Sequence, residues 1–404
     1  MNTNEIRRNA AQYGEYIAQE AAYTAENMSA RTAGSVAEAD ASEYIAGKLT
    51  AAGAEVRTEE FKVAPAAAFG WIGVTAVCMM LAYVAYFFVA MVSVALIVVA
   101  LVPFVVQGVF LSRAFDGAYI SRTSHNVTAV LPCSGEVRRR VFFTAHADSA
   151  HIFRPCVKGR HALVAAVAAI SLVGAAYLLG ADIARWAYLG SVGTGLVRGD
   201  WLIAGLVGIV FVPFWGAALF VIDGKRASAG AGDNLTGCFA AAAVVRALAE
   251  TGVPEHTEVG VIVTGAEECG LRGAKAWCDA HAAEYRDGKT YFVTLDTLRD
   301  AGRLKVQKRD LNGLQTLDKE LVARFSESAG KAGLECGKGG FAFGATDAAA
   351  FAAAGLKAVA VTAFDPMSDT YHTENDVADS LDSGFLGKCV IAAVQFVEDL
   401  ENGD

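Results

Sequence analysis

Apolar and polar positions along this chain follow three different rhythms. Over residues 2–53, Ala, Tyr and Ile recur at three- and four-residue steps, the spacing of helices that pack by one face. Residues 31–38 interrupt them; Ser35 stands where a helix cap is expected, ahead of a helix carrying residues 41–49, and Gly53 ends it. Residues 54–63 alternate and predict a first strand. Then charge disappears: residues 63–112, 50 positions, hold no Asp, Glu, Lys or Arg. A single helix of that length would reach about 75 Å, against about 30 Å of hydrocarbon in a bilayer. The run therefore predicts two membrane helices joined by a turn, near 68–89 and 91–111.

Strand signals return at 124–131 and 141–146. The tight turn at 132–135 between them predicts an antiparallel neighbouring pair, so that the first three strands would form a meander. A second pair of charge-free segments follows at 162–180 and 201–222. Trp71, Trp186, Trp201 and Trp215 lie in or beside the four apolar segments, mostly near their ends, as interfacial anchors do. Gly190, Gly193 and Gly195 lie between the last two segments with no following Lys, and so carry no nucleotide signal. Beyond Asp223 helices and strands alternate: helix 234–250, strands 259–264, 289–297 and 303–308, helix 314–331, a Gly-rich loop at 338–347, strand 358–364 and helix 385–400. This order predicts an α/β fold, a mixed and mostly parallel sheet covered by helices on both faces, with about four transmembrane helices in two inserted hairpins. The water-facing domain would comprise residues 1–62, 113–160 and 223–404, and the hairpins 63–112 and 161–222.

Composition agrees with a part in lipid and a part in water. Hydrophobic residues make up 54%, charged residues only 19%, and mean hydropathy is +0.36. A net charge of -9 without a basic block leaves no footprint for nucleic acid. Eight Cys form no CxxC pair, which argues against a thiolate zinc site or a redox motif and for a reducing compartment. The first residues are polar and lack the apolar core of a cleaved signal. Arg57, Lys62, Arg113, Arg122, Arg154, Lys158, Arg160, Lys225 and Arg226 flank the apolar segments on one side, and only Arg185 and Arg198 on the other. The bias predicts a multi-pass protein of the cell membrane with its water-facing domain in the cytoplasm.

Candidate chemistry gathers at strand ends. Strand 259–264 breaks at Gly265 into a turn carrying Glu267 and Glu268 side by side. Two adjacent carboxylates repel and are costly to desolvate. Divalent cations would relieve that, with one Glu as ligand and the other free as a base. His146 ends another strand, and Asp148 two residues on could fix its tautomer. Asp233 precedes a helix, Asp296 ends a strand, and His372 follows the last strand beside Tyr371. Two His and three carboxylates suffice for two divalent ions that share a bridging Asp and keep open positions for water. Oxygen and imidazole donors without thiolate suit zinc.

Residues 31–38, 126–132, 146–148, 230–237, 265–273, 296, 345–347 and 371–376 together resemble the co-catalytic di-zinc aminopeptidases of metallopeptidase clan MH, the family numbered twenty-eight. The resemblance spans the water-facing part. It implies that His146 and Asp296 bind one Zn2+, Glu268 and His372 a second, and that Asp233 bridges them. It further implies that Asp148 orients His146, Glu267 is the general base and Tyr371 helps hold the oxyanion. The reaction implied is removal of N-terminal residues from peptides with a free N-terminus, by a hydroxide shared between the two ions. The lipid bilayer would be a second partner, and the membrane helices a surface for homo-oligomers. The two apolar pairs depart from the family's compact domain and leave substrate access open. Two other readings are a glutaminyl-cyclase-like single-zinc transferase and a non-catalytic peptidase-like receptor. The complete five-ligand set argues against both.

Overall fold

Eight strands form one sheet in the structure, a computed structural model that describes residues 1–158, 160–189 and 195–403; Gly190 and Gly193 lie outside the described residues. The chain divides into two units, one of residues 1–65, 121–151 and 225–404, the other of 66–120 and 152–224. The first unit holds the sheet. Its strands are β1 (Glu55–Val63), β2 (Arg122–Leu131), β3 (Arg139–His146), β4 (Thr257–Thr264), β5 (Thr290–Leu298), β6 (Leu304–Gln307), β7 (Gly337–Gly339) and β8 (Lys357–Ala363), in the spatial order β1-β2-β4-β3-β5-β8-β6-β7.

The four central strands, β4, β3, β5 and β8, run parallel. They are buried on both faces, which is why they read as nearly continuous apolar runs. β2 and β6 flank them antiparallel, so the sheet is mixed and mostly parallel. β1 pairs antiparallel with β2, Val63 opposite Arg122, and thereby ends at the same sheet edge as β3. The expected meander is corrected at its second step. β4 lies between β2 and β3 and bonds to both. The 132–138 connection closes on the chain ahead of β4 instead, Ser134 and Gly135 donating to the carbonyls of Pro254 and Glu255.

Helices cover both faces. They are α1 (Thr3–Arg8), α2 (Ala10–Asn27), α3 (Val36–Ala51), α4 (Thr236–Thr251), α5 (Arg272–His281), α6 (Lys319–Lys331), α7 (Asp347–Ala353) and α8 (Ser383–Glu401). α2, α4 and α8 pack together over one face, and α5 and α7 over the other. Adjacent residues of β3 show the alternation. Phe143 joins the core under α4 and α8. Phe142 points the opposite way and stacks on Phe292 at 5.4 Å, beside Trp277 of α5. Ser35 caps α3 by accepting from the Glu38 amide.

Among the described residues the second unit contains four helices long and apolar enough to cross a membrane: Ala67–Tyr86, Ala90–Val109, His161–Leu189 and Asp200–Ala218. Their packing is inverted relative to a water-soluble bundle. Small or aromatic residues such as Ala82, Tyr86, Ala100, Ala175 and Trp215 fill the interior. Val98, Val99, Val173, Ile203, Leu206 and Val210 face outward and are each about half exposed or more. Water would not tolerate such a surface; lipid does. Polar tips find backbone acceptors inside the unit, Tyr86 on Trp201, Tyr177 on Ala204 and Trp215 on Ser171. Trp215 is thus an interior residue and not an interfacial anchor. The third helix runs past Gly180 to Leu189, and its Asp182 and Arg185 are buried, Arg185 donating to the carbonyl of Tyr86. Arg185 is therefore not a loop charge.

Candidate metal centre

Every parallel strand delivers a polar side chain to the sheet's carboxyl edge, where open α/β sheets form their sites. His146 closes β3, Glu267 and Glu268 follow β4, Asp296 sits near the end of β5, and His372 lies in the loop after β8. Asp233 comes from the turn before α4, through a cis peptide bond to Asn234.

These groups converge. Asp233 Oδ1 lies 3.2 Å from His146 Nε2, and its Oδ2 lies 3.4 Å from His372 Nε2. One carboxylate thus offers an oxygen to each imidazole. Glu268 Oε2 is 3.6 Å from His372 Nε2. Donor atoms of His146, Asp233 and Asp296 lie within 4.8 Å of one another, and so do those of Asp233, Glu268 and His372. Two three-residue sets therefore share Asp233. Glu267 belongs to neither, although it forms a third set with His146 and Glu268.

The turn that presents the two glutamates is held by close contacts that only glycine permits. A Cβ at Gly273 would sit 2.1 Å from the Gly265 carbonyl oxygen, and one at Gly265 would sit 2.3 Å from Ser124 Oγ. Ala266, Thr297 and His372 adopt positive φ (54°, 50° and 53°), so left-handed backbone accompanies three of the ligand positions.

Asp148 does more than orient His146. It is fully buried, its Oδ1 accepts from the Glu267 amide at 2.9 Å and its Oδ2 from the Glu268 amide at 3.1 Å. Towards His146 Nδ1 its own carbonyl oxygen, at 3.1 Å, is closer than its carboxylate, at 3.5 Å. Three supporting residues received no role from sequence. Asp376 accepts from the amides of Gly232 and Asp233 at 2.8 and 3.0 Å and pairs with Arg299 at 2.7 Å. Glu38 accepts from Ser124 Oγ and the Ala266 amide at 2.9 and 2.8 Å. Arg31, fully buried, donates to the carbonyls of Ala147, Ala229 and Gly230. A buried Arg amid Gly and Ala at 31–34 was the available signal. Tyr371 stacks on Phe364 and on His372, with ring centres 4.7 and 4.0 Å apart. With Asp233, Arg299 and Phe364 it lines a cleft of about 390 Å3.

The electrostatics favour bound cations. Burial pushes Glu268 up to about 8, Asp296 to about 6 and Asp347 to about 7. Burial also raises Glu267 well above its usual range, against the pull of His146, and Glu268, Asp347 and Asp296 add to the rise. Burial disfavours charged imidazoles, yet the surrounding acids outweigh it: His146 is held well above its usual value and His372 at about 9. Asp233, despite burial, is held far below the carboxylate range by both imidazoles. Glu268 Oε1 is buried with no hydrogen-bond partner. Oxygen and imidazole donors, an orphaned carboxylate oxygen and mutually repelling acids fit divalent zinc.

Comparison with known proteins agrees with this geometry. Residues 221–397 match the model of Peptidase family M28. No curated protein matches the sequence. Solved structures of similar fold include a leucine aminopeptidase precursor from Bacteroides thetaiotaomicron, 14% identical over 97% of this chain and 97% of that one, with a TM-score of 0.55. BSAP, a zinc aminopeptidase from Bacillus subtilis, is 14% identical over 96% and 94% of the two chains, with a TM-score of 0.55. A glutaminyl cyclase from Bacteroides thetaiotaomicron bound to N-acetylhistamine is 14% identical over 97% and 98%, with a TM-score of 0.56. The sheet and its helices are thus those of the zinc-aminopeptidase fold, and the chain resembles zinc peptidases in sequence and in architecture.

Proposed function

We propose that this zinc peptidase, matched to Peptidase family M28 over 221–397, is a membrane-embedded aminopeptidase that uses two zinc ions. The observation that carries the proposal is the bridging position of Asp233, with one oxygen towards His146 and the other towards His372. His146 and Asp296 would hold one ion, Glu268 and His372 the other. The pair would supply Lewis acidity towards the scissile carbonyl and lower the pKa of the attacking water.

The chain's own residues account for the rest. Glu267, buried and raised in pKa, would take the proton of the attacking water and pass it to the leaving amine. Asp148 fixes that carboxylate through the amides of Glu267 and Glu268. Asp376 fixes Asp233 in the same way. Carboxylates around the centre would receive the free α-amine of the substrate, and Tyr371, on the wall of the cleft, would stabilise the oxyanion.

The charge bias supports a cytoplasmic catalytic unit. Nine Lys and Arg flank the apolar segments on its side; with Arg185 inside a helix, Arg198 alone remains on the other. The cyclase reading shares the fold but needs one ion, and here two donor sets share Asp233. The test is metal analysis of the full chain in detergent, together with a panel of aminoacyl anilides and a peptide beginning with Gln. Two zincs per chain and release of anilide support the proposal. One zinc and cyclisation of the Gln peptide would replace it with the transferase.

A further inference from the structure

The Gly-rich stretch 338–347 serves two places. Its Asp347 end bonds to Thr264 behind the metal centre. Its Lys338 end lines a separate cleft of about 460 Å3, together with Lys308, Arg309, Thr316 and Lys319. Among the described residues no carboxylate lines this cleft. In a chain with 43 acidic and 34 basic residues, four cations converging without an acid are a local reversal of sign.

Several other cations on this unit are paired. Arg303 meets Asp365, Arg324 meets Glu320, and Lys331 meets Asp399. Among the described residues Lys308, Arg309, Lys319 and Lys338 have no such partner. Asp310, beside Arg309, accepts from the amides of Leu311 and Thr346, and the two acids that flank Lys319 are likewise committed elsewhere. Asp318 caps α6 by accepting from the amides of Glu320 and Leu321, and Glu320 pairs with Arg324.

Backbone bonds fix the cleft's walls. The Lys308 amide donates to the carbonyl of Gly339 at 2.8 Å, the Phe341 amide to that of Arg309 at 3.1 Å and the Leu317 amide to that of Lys308 at 3.1 Å. Arg309 Nη1 donates to the Gly313 carbonyl at 3.0 Å, which holds the guanidinium in one place. The first turn of the 13-residue α6 forms another wall and adds the positive end of its dipole. Four like charges repel one another unless an anion neutralises them. A held Arg and three Lys beside a helix start are chemistry suited to phosphate.

We propose that this cleft binds a phosphate-bearing anion, either a soluble phosphate compound or an anionic lipid headgroup. The site is independent of the peptidase reading. The test is equilibrium dialysis of labelled inorganic phosphate against the full zinc-loaded chain in phosphatidylcholine nanodiscs, at constant ionic strength set with chloride. The comparison is a triple variant, Lys308→Gln, Arg309→Gln and Lys338→Gln; its zinc content and anilide turnover should match the parent, since none of the three touches the metal centre. The expected result is phosphate binding at least about tenfold weaker in the variant, because charge-assisted contacts are lost. Adding phosphatidylglycerol to the nanodiscs separates the sources: displacement of phosphate identifies a headgroup, and unchanged binding identifies a soluble ligand. Equal phosphate binding by parent and variant overturns the proposal.

Discussion

Replacing Asp148 tests whether one carboxylate organises both glutamates. In the structure it is wholly buried and accepts from two adjacent backbone amides, those of Glu267 and Glu268. Asn keeps one carbonyl oxygen and turns the other position into a donor that faces a donor. One buried N–H then loses its acceptor, a cost of about 1–3 kcal/mol. Ala orphans both, for about 2–6 kcal/mol. Either is a large share of a total of about 5–15 kcal/mol. Because the same residue sits behind His146, zinc affinity should also fall about 10–100-fold in Asp148→Asn. Urea unfolding of the metal-free chain in detergent measures the first effect, and chelator competition the second. If Asp148→Asn unfolds like the parent and binds zinc equally well, or if Ala is no worse than Asn, the role assigned to Asp148 is wrong.

Glu267→Gln should lower anilide turnover by at least about 100-fold, the scale of a lost general base, with zinc content unchanged; loss of metal would show that Glu267 is a ligand. Zinc binding should strengthen as pH rises from about 6 to 9, because Asp296 (about 6), Glu268 (about 8) and His372 (about 9) must each lose a proton to coordinate. Calorimetry in buffers of different ionisation enthalpy should therefore register proton release, and none would contradict the burial argument. Arg31→Met should destabilise the chain by about 1–3 kcal/mol or more, since it strips donors from three buried carbonyls; denaturant midpoints read this. A reporter fused after Asp404 should be active in the cytoplasm, and activity only on the far side of the membrane would refute the orientation.

The convergence was legible because His146, Glu268 and Asp296 are polar residues at or just after the ends of apolar strands, and parallel strands bring such ends to one edge; Asp233, before a helix, and His372, in a loop, complete the set. Asp376, Glu38 and Arg31 were not legible as supports. Most of their partners are backbone amides and carbonyls, which leave no mark on residue identity. Strand adjacency was misread at one point for a similar reason. A tight turn at 132–135 looks the same whether its strands pair with each other or, as here, receive a third between them. The extent of the helix His161–Leu189 was missed because Asp182 and Arg185 read as the end of an apolar segment, whereas burial against Tyr86 lets Arg185 stay inside.

The position of β4 has a consequence for how the protein is made. β2 and β3 have no bond to each other and depend on the strand between them, which lies at Thr257–Thr264. The ribosome completes that strand only after all four apolar helices have emerged. The centre of the sheet, and with it the turn that carries Glu267 and Glu268, cannot assemble until the four apolar helices have been made. His146 must wait, with its strand unclosed on the β4 side, through the synthesis of the second hairpin. Synthesis of the apolar unit and assembly of the sheet are thereby ordered in time, and a chain stopped before β4 would never bring His146 and Glu268 together.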